Sequence, residues 1–206
     1  MNESASATVM KDSSGHAIDG AIGSAVRTGL KSGKRTVYGW PYVDPHAPPA
    51  KPERLVTADD RRLNPARREF AVSLRFRTLH PSGNIVQKGQ SGSSGGFWKV
   101  ETHRGKVTCL FRGRASDGST RSKVVDSGPQ PLDDGKWHTI SCVRSSSGVT
   151  MTVDGDLRRH VTGGSGAIWN NVPLAIGGKL RCDQDKVSCD YFTGSIDYLV
   201  IQASAR

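Results

Sequence analysis

The chain has 206 residues, 24 of them Gly, and 29 Lys and Arg against 19 Asp and Glu, a formal net charge of +10. No stretch approaches the ~20 apolar residues that a membrane-spanning helix needs, so no span is expected. The positive balance favours anionic partners. The charges are scattered, however: arginine doublets fall at Arg61-Arg62, Arg67-Arg68 and Arg158-Arg159 with no basic helix or long run, so nucleic acid is not expected as a partner.

In chain order, the first feature is Asp12 in the Ser/Gly-rich stretch Asp12-Ser-Ser-Gly15, followed by Asp19 in Ile18-Asp-Gly20. Such loops leave carbonyls and carboxylates free to converge on a hard cation. They equally make ordinary side-chain turns. Tyr38, Trp40 and Tyr42 then recur at period two, which on an extended chain sets neighbouring rings ~7 Å apart. Such a stripe serves either as a stacking platform for sugar rings or as a cap on the core. Pro45 to Pro52 is an irregular loop, because proline cannot donate to a sheet ladder. A single helical turn is expected around Ala58 to Asn64, carrying Arg61 and Arg62.

From there alternation dominates. Glu69 to Thr78, Asn84 to Lys88, Gly96 to Thr102, Lys106 to Arg112, Trp137 to Arg144, Val149 to Asp154 and Val172 to Ile176 all read as strands. Asp117-Gly118, Asp134-Gly135 and Asp154-Gly155 supply the turns. Ser91 to Gly96 reads as a flexible tip. Trp137, just after a turn, is assigned to the core. Trp169 falls at a loop tip beside Asn170 and Asn171, a ring with amides suited to a sugar. The last strand, Phe192 to Ile201, holds one acid among apolar residues. Strict alternation places Asp197 on the face of Leu199 and Ile201. A carboxylate buried there needs a cation, a basic side chain or backbone N–H groups.

The four cysteines allow three pairings. Cys182 and Cys189 suit the ends of a short hairpin. Cys109 and Cys142 lie in strand-like segments and can bridge neighbouring strands. Two disulfides imply an oxidising compartment. Met1-Asn2-Glu3 is not followed by the apolar core of a signal peptide, so a mature secreted form is the reading that agrees with the cysteines. Regular short strands, no helix of any length, no repeat and no linker together predict one all-β domain over residues 1–206, a two-sheet antiparallel sandwich or jelly roll.

The ordered series Asp12-Ser-Ser-Gly15, Leu63-Asn-Pro65, Asn84-Ile-Val-Gln-Lys-Gly89, Asp134-Gly-Lys-Trp-His-Thr139, Val153-Asp-Gly155, Leu174-Ala-Ile-Gly-Gly178 and Phe192-Thr-Gly-Ser-Ile-Asp197 resembles laminin G-like domains of the concanavalin A-like lectin/glucanase superfamily, in particular modules of secreted bacterial proteins. The resemblance implies a jelly roll that binds rather than catalyses, and a structural calcium near the Asp12 loop and the Asp197 strand, with Asp19 as a further ligand. Glucanases of this superfamily need two glutamates facing one bond. Glu3, Glu53, Glu69 and Glu101 are too widely spaced in sequence for that. The expected function is therefore an extracellular or cell-surface binding module for a glycan, possible acidic groups on it meeting Arg61 and Arg62, with Tyr38, Trp40, Tyr42 and Trp169 as aromatic contacts. A protein-binding adhesion or structural module is the alternative, and a cryptic glycoside hydrolase the third reading.

Overall fold

The computed structural model describes residues 1–42, 52–182 and 190–204, and the following concerns those. The strands are β1 Val9–Met10, β2 Gly20–Ile22, β3 Arg27–Ser32, β4 Arg35–Trp40, β5 Val56–Ala58, β6 Phe70–Arg77, β7 Gly83–Lys88, β8 Phe97–His103, β9 Lys106–Arg114, β10 Thr120–Asp126, β11 His138–Arg144, β12 Gly148–Val153, β13 Asp156–Thr162, β14 Leu174–Ile176 and β15 Gly194–Ala203. They form an eight-stranded sheet, β1-β2-β5-β14-β7-β8-β9-β10, and a seven-stranded sheet, β13-β12-β11-β6-β15-β4-β3. Neighbouring strands run antiparallel, as in β6 with β11 and β8 with β9. The helical turn expected near Ala58 to Asn64 is a short 3₁₀ turn at Arg61–Leu63, capped by the Asp60 side chain. Most of the Pro45 to Pro52 loop lies outside the described residues.

Alternation explains the long central strands. In β6, Phe70, Val72, Leu74 and Phe76 are buried, while Ala71, Ser73, Arg75 and Arg77 face outward. The inner faces of the two sheets meet in one apolar layer. Phe70 of the seven-stranded sheet packs on Trp98 and Phe111 of the other, with ring centres 5.3 and 6.3 Å apart. Trp98 is thus a core residue.

The disulfide Cys109–Cys142 forms, but not between neighbouring strands of one sheet. Cys109 lies on β9 of the eight-stranded sheet and Cys142 on β11 of the other, so the bond spans the core, with Cα atoms 6.3 Å apart. Both cysteines alternate inward with their strands, which is why they meet across the layer. None of the described cysteines is free. Cys189, the expected partner of Cys182, lies outside the described residues.

At one end, His138 joins two turns. Its Nδ1 lies 2.8 Å from the Asp154 carboxylate and its Nε2 3.0 Å from that of Asp134. Burial opposes protonation of the ring, but the two carboxylates outweigh it and hold the imidazole pKa above the ordinary value. A ring bonded on both sides to acids is best served by the imidazolium, a donor at both nitrogens.

Two outcomes are expected. Replacing both Cys109 and Cys142 by Ala should cost about 3–4 kcal/mol in urea unfolding, the loop-closure effect for a separation of 33 residues. The His138 contribution is fully present below the unfolded-state pKa and is lost as pH rises through the higher folded-state pKa. The urea midpoint should therefore fall as pH rises above about 6.5, and His138→Gln should remove that part of the slope.

Candidate ligand-binding end of the sandwich

Loops from both sheets converge where β11 ends. The 163–173 connection runs between the β5–β6 and β9–β10 connections. Ala66 and Ile168 exchange backbone bonds on one side, and Arg114 and Ala167 do so on the other. Two asparagines lock this junction. The Asn64 side chain donates to the Asn170 carbonyl at 2.9 Å, and its Oδ1 accepts from the Asn170 N–H at 3.1 Å. The Asn170 amide in turn donates to the Gly96 carbonyl at 2.8 Å and accepts from the Val172 N–H at 3.0 Å. Asn170 is therefore occupied as a brace, and Trp169 and Asn171 are left facing solvent, Trp169 at 44% exposure.

The Ser91–Gly96 tip is not a loose loop. Gly95 has φ +83°, and a Cβ there would lie 1.8 Å from the Trp169 carbonyl. Only glycine lets this loop close on the Trp169 backbone, which donates its N–H to the Gly95 carbonyl at 2.9 Å. Two adjoining depressions result. One is lined by Ser94, Trp169, Asn171 and Val172, and the other by Ser93, Ser94, Arg112 and Arg114.

Two buried cations lie beneath. Arg144 donates through Nε to Ser165 Oγ at 2.9 Å and through its terminal nitrogens to the carbonyls of Arg68, Ala66 and Gly166. Burial alone lowers its pKa to about 10, and no carboxylate is paired with it among the described residues. Lys88, also buried, donates to the Val172 carbonyl at 2.6 Å. Burial lowers its pKa, and Asp59 and Asp60 act in the opposite sense. Both side chains cross-link the loops by neutral acceptors and leave their positive charge beneath the surface.

The structure distributes the sequence-predicted residues unevenly. Trp169 and Arg61 come to this end on loops tied by Asn64, which also donates to the Arg61 carbonyl. Arg62 is nearby but held by both oxygens of Asp60, at 2.6 to 3.1 Å. Tyr38 and Trp40 are not a platform: alternation on β4 turns both inward, where they are fully buried. The Tyr38 hydroxyl donates to Glu3, and the Trp40 indole N–H to the Arg54 carbonyl. Tyr42 is exposed but stacks on His80, apart from Trp169. Arg112 and Arg114 were not singled out in the sequence. Their signal was two alternating arginines ending a strand beside a glycine-rich tip.

The acids do not assemble as the resemblance implied. The Asp12 carboxylate accepts from the N–H groups of Ile18 and Ser14, with its pKa lowered to about 2 by those bonds. Asp19 accepts from Lys11 Nζ and the Asp12 N–H. Asp197 is 5% exposed, and its Oδ2 takes bonds from Arg75 at 2.8 Å and Arg35 at 3.0 Å. No cluster of three metal-ligating side chains occurs among the described residues. Two guanidinium groups already occupy the cation position at Asp197, so the set Asp12, Asp19 and Asp197 does not fit a shared calcium ion. Asp197 also does not face the core. A bulge between Ile196 and Tyr198 on β15 adds one residue against β6, so Ile196 and Leu199 both point inward and Asp197 turns to the outer face.

The laminin G domain model matches residues 76–204. The chain belongs to the laminin G domain family. It is 27% identical over 169 residues to human neurexin-3-beta, covering 80% of this chain and 23% of that protein. It is 30% identical over 105 residues to the protocadherin-like wing polarity protein stan of Drosophila melanogaster, half of this chain and 3% of that one. Among solved structures, domains LG4-5 of the mouse laminin alpha1 chain superpose with a TM-score of 0.52 at 24% identity, over 66% of this chain and 36% of that one. The chain thus spans under a quarter of neurexin-3-beta and a far smaller share of the stan protein.

The Asp197 arrangement makes a clear prediction. Asp197→Ala should cost about 2–4 kcal/mol in chemical denaturation, because it strands Arg75 and Arg35 against each other. Calcium and chelator should leave the stability of the unsubstituted chain unchanged. A calcium-dependent stabilisation of that chain that disappears in Asp197→Ala would mean that the acid binds metal.

Proposed function

We propose that the chain is a non-catalytic extracellular binding module whose ligand is an anionic glycan taken at the Trp169 end. The observation that carries this reading is one exposed indole set between Asn171 and the exposed Arg112 and Arg114 on a braced loop junction. An indole offers apolar area to a sugar ring. Arginine forks match carboxylate or sulfate groups, and the buried Arg144 and Lys88 add positive potential below. Membership of the laminin G family supports the extracellular binding role. The non-catalytic reading is supported by the state of the carboxylates. Glu3 is bonded to Tyr38, Glu101 to Lys99, and Asp60 to Arg62, so none of these stands free as an acid or base.

The test is binding of a heparin oligosaccharide to the intact chain by calorimetry. Trp169→Ala and the pair Arg112→Glu with Arg114→Glu should each weaken binding by about tenfold or more. Affinity should fall steeply as salt approaches physiological strength. Binding that ignores both variants would sink the reading.

A further inference from the structure

A second basic surface lies on the outer face of the seven-stranded sheet, at the opposite end of β11. Trp137 enters it from the Asp134-Gly135 turn, half-buried outside the core to which its sequence assigned it. Its indole N–H donates to Ser32 Oγ at 3.1 Å, which fixes the ring. The Arg75 and Arg77 guanidinium carbons lie 4.7 and 5.1 Å from the ring centre. Arg75 and Arg35 share Asp197, so the acid within this cluster is already matched by two cations. Arg77 is exposed and has no ion pair among the described residues, and Arg35 is 61% exposed. Beyond this corner the face carries short side chains. Cross-strand partners place Val200, Ser73, Ser141 and Thr152 in one row.

We propose that this face docks an acidic polypeptide segment, whose carboxylates meet Arg77 and Arg35 and whose backbone lies over the row of short side chains. Charge complementarity selects an acidic occupant. Three features select polypeptide over glycan. The half-buried Trp137 ring already carries two guanidinium groups, so it offers less bare area to a sugar than Trp169 does. Arg75 and Arg77 alternate on one strand, about 7 Å apart, which is also the spacing of alternate side chains on an extended peptide. Rows of hydroxyl and methyl groups accept a peptide without a pocket. A tryptophan and arginines held rigid in advance are the residue types that anchor protein interfaces.

The probe is a fluorescein-labelled poly-L-glutamate peptide, titrated by fluorescence anisotropy into the intact chain. Arg77→Glu should weaken binding by about tenfold, the scale of a lost hydrogen bond to a charged group. Arg35→Gln should weaken it in the same direction, and the pair Arg112→Glu with Arg114→Glu should leave it within about twofold. Arg77 makes no structural ion pair, so an unchanged circular dichroism spectrum is expected for its variant. Equal losses from the Arg112/Arg114 pair would reduce the effect to net charge and overturn the proposal. So would an Arg77→Glu variant that binds the peptide normally. Heparin binding that falls with Arg77→Glu as steeply as peptide binding would make the occupant a glycan, and the proposal would fail. Arg77→Glu and Arg35→Gln leave the Trp169 end intact, so the two sites stand or fall separately.

Discussion

Two sheets share a single apolar layer, and every polar side chain must be sent to an outer face or to an end. This constraint shapes the strand that carries Asp197. Ile196 and Leu199 both belong to the layer, yet they are three residues apart, and a regular strand cannot turn both inward. The bulge on β15 resolves the conflict by adding one residue against β6. Its consequence is that Asp197 and Tyr198 both lie toward the outside, next to Arg75. The acid is still buried, but by Arg35 and Arg75 on the outer face rather than by the core. Desolvation of a carboxylate is tolerable only when its charge is matched, and two guanidinium groups, both bonded to Oδ2, match it.

The opposite sign is handled differently at the loop end. Arg144 and Lys88 are buried without a carboxylate in contact among the described residues, and their donors go to backbone carbonyls and Ser165. Carbonyl dipoles stabilise a cation by less than a full counter-charge does, which fits the lowered pKa of both side chains. What the arrangement gains is geometry. One planar guanidinium gathers the carbonyls of Ala66, Arg68 and Gly166 from two loops at once. A neutral residue of the same size could fill the space but could not bind those carbonyls. The residual charge is screened less than a surface charge would be, so it acts on whatever binds above it.

The long strands were legible because their alternation is regular: β6, β8, β9, β11 and β12 each bury every second residue. The missed strands are of two kinds. β1, β2 and β5 have three residues or fewer, too short to show a period, whereas β14, equally short, lay within the expected Val172 to Ile176 segment. β3, β10 and β13 are edge strands, where Arg-Thr-Gly-Leu-Lys-Ser or Asp-Leu-Arg-Arg-His-Val-Thr keeps charge on a surface that must not pair with another chain. At the sites, Trp169 was legible from its loop composition, whereas Tyr38 and Trp40 misled because aromatic period two describes a platform and a buried strand face equally well. The need of Asp197 for a partner was legible. Its partners were not, because Arg35 is 162 residues away and the bulge that redirects the acid leaves no mark in the residue pattern.

The two basic surfaces are separated by the length of β11. Trp137 stands just before its first residue and Arg144 is its last, so the strand alone sets them about 20 Å apart. That exceeds the ~8 Å over which exposed charges interact at physiological ionic strength. Each surface therefore presents its own local field, and an anion bound at one does little to neutralise the other. The net charge of +10 is thus better understood as two local demands than as one diffuse attraction. One is met by an exposed indole beside an exposed amide and two exposed arginines at a loop end. The other is met by a half-buried indole against which two guanidinium groups already lie. The same residue types thus present different surfaces, because one ring is left open and the other is in contact with cations.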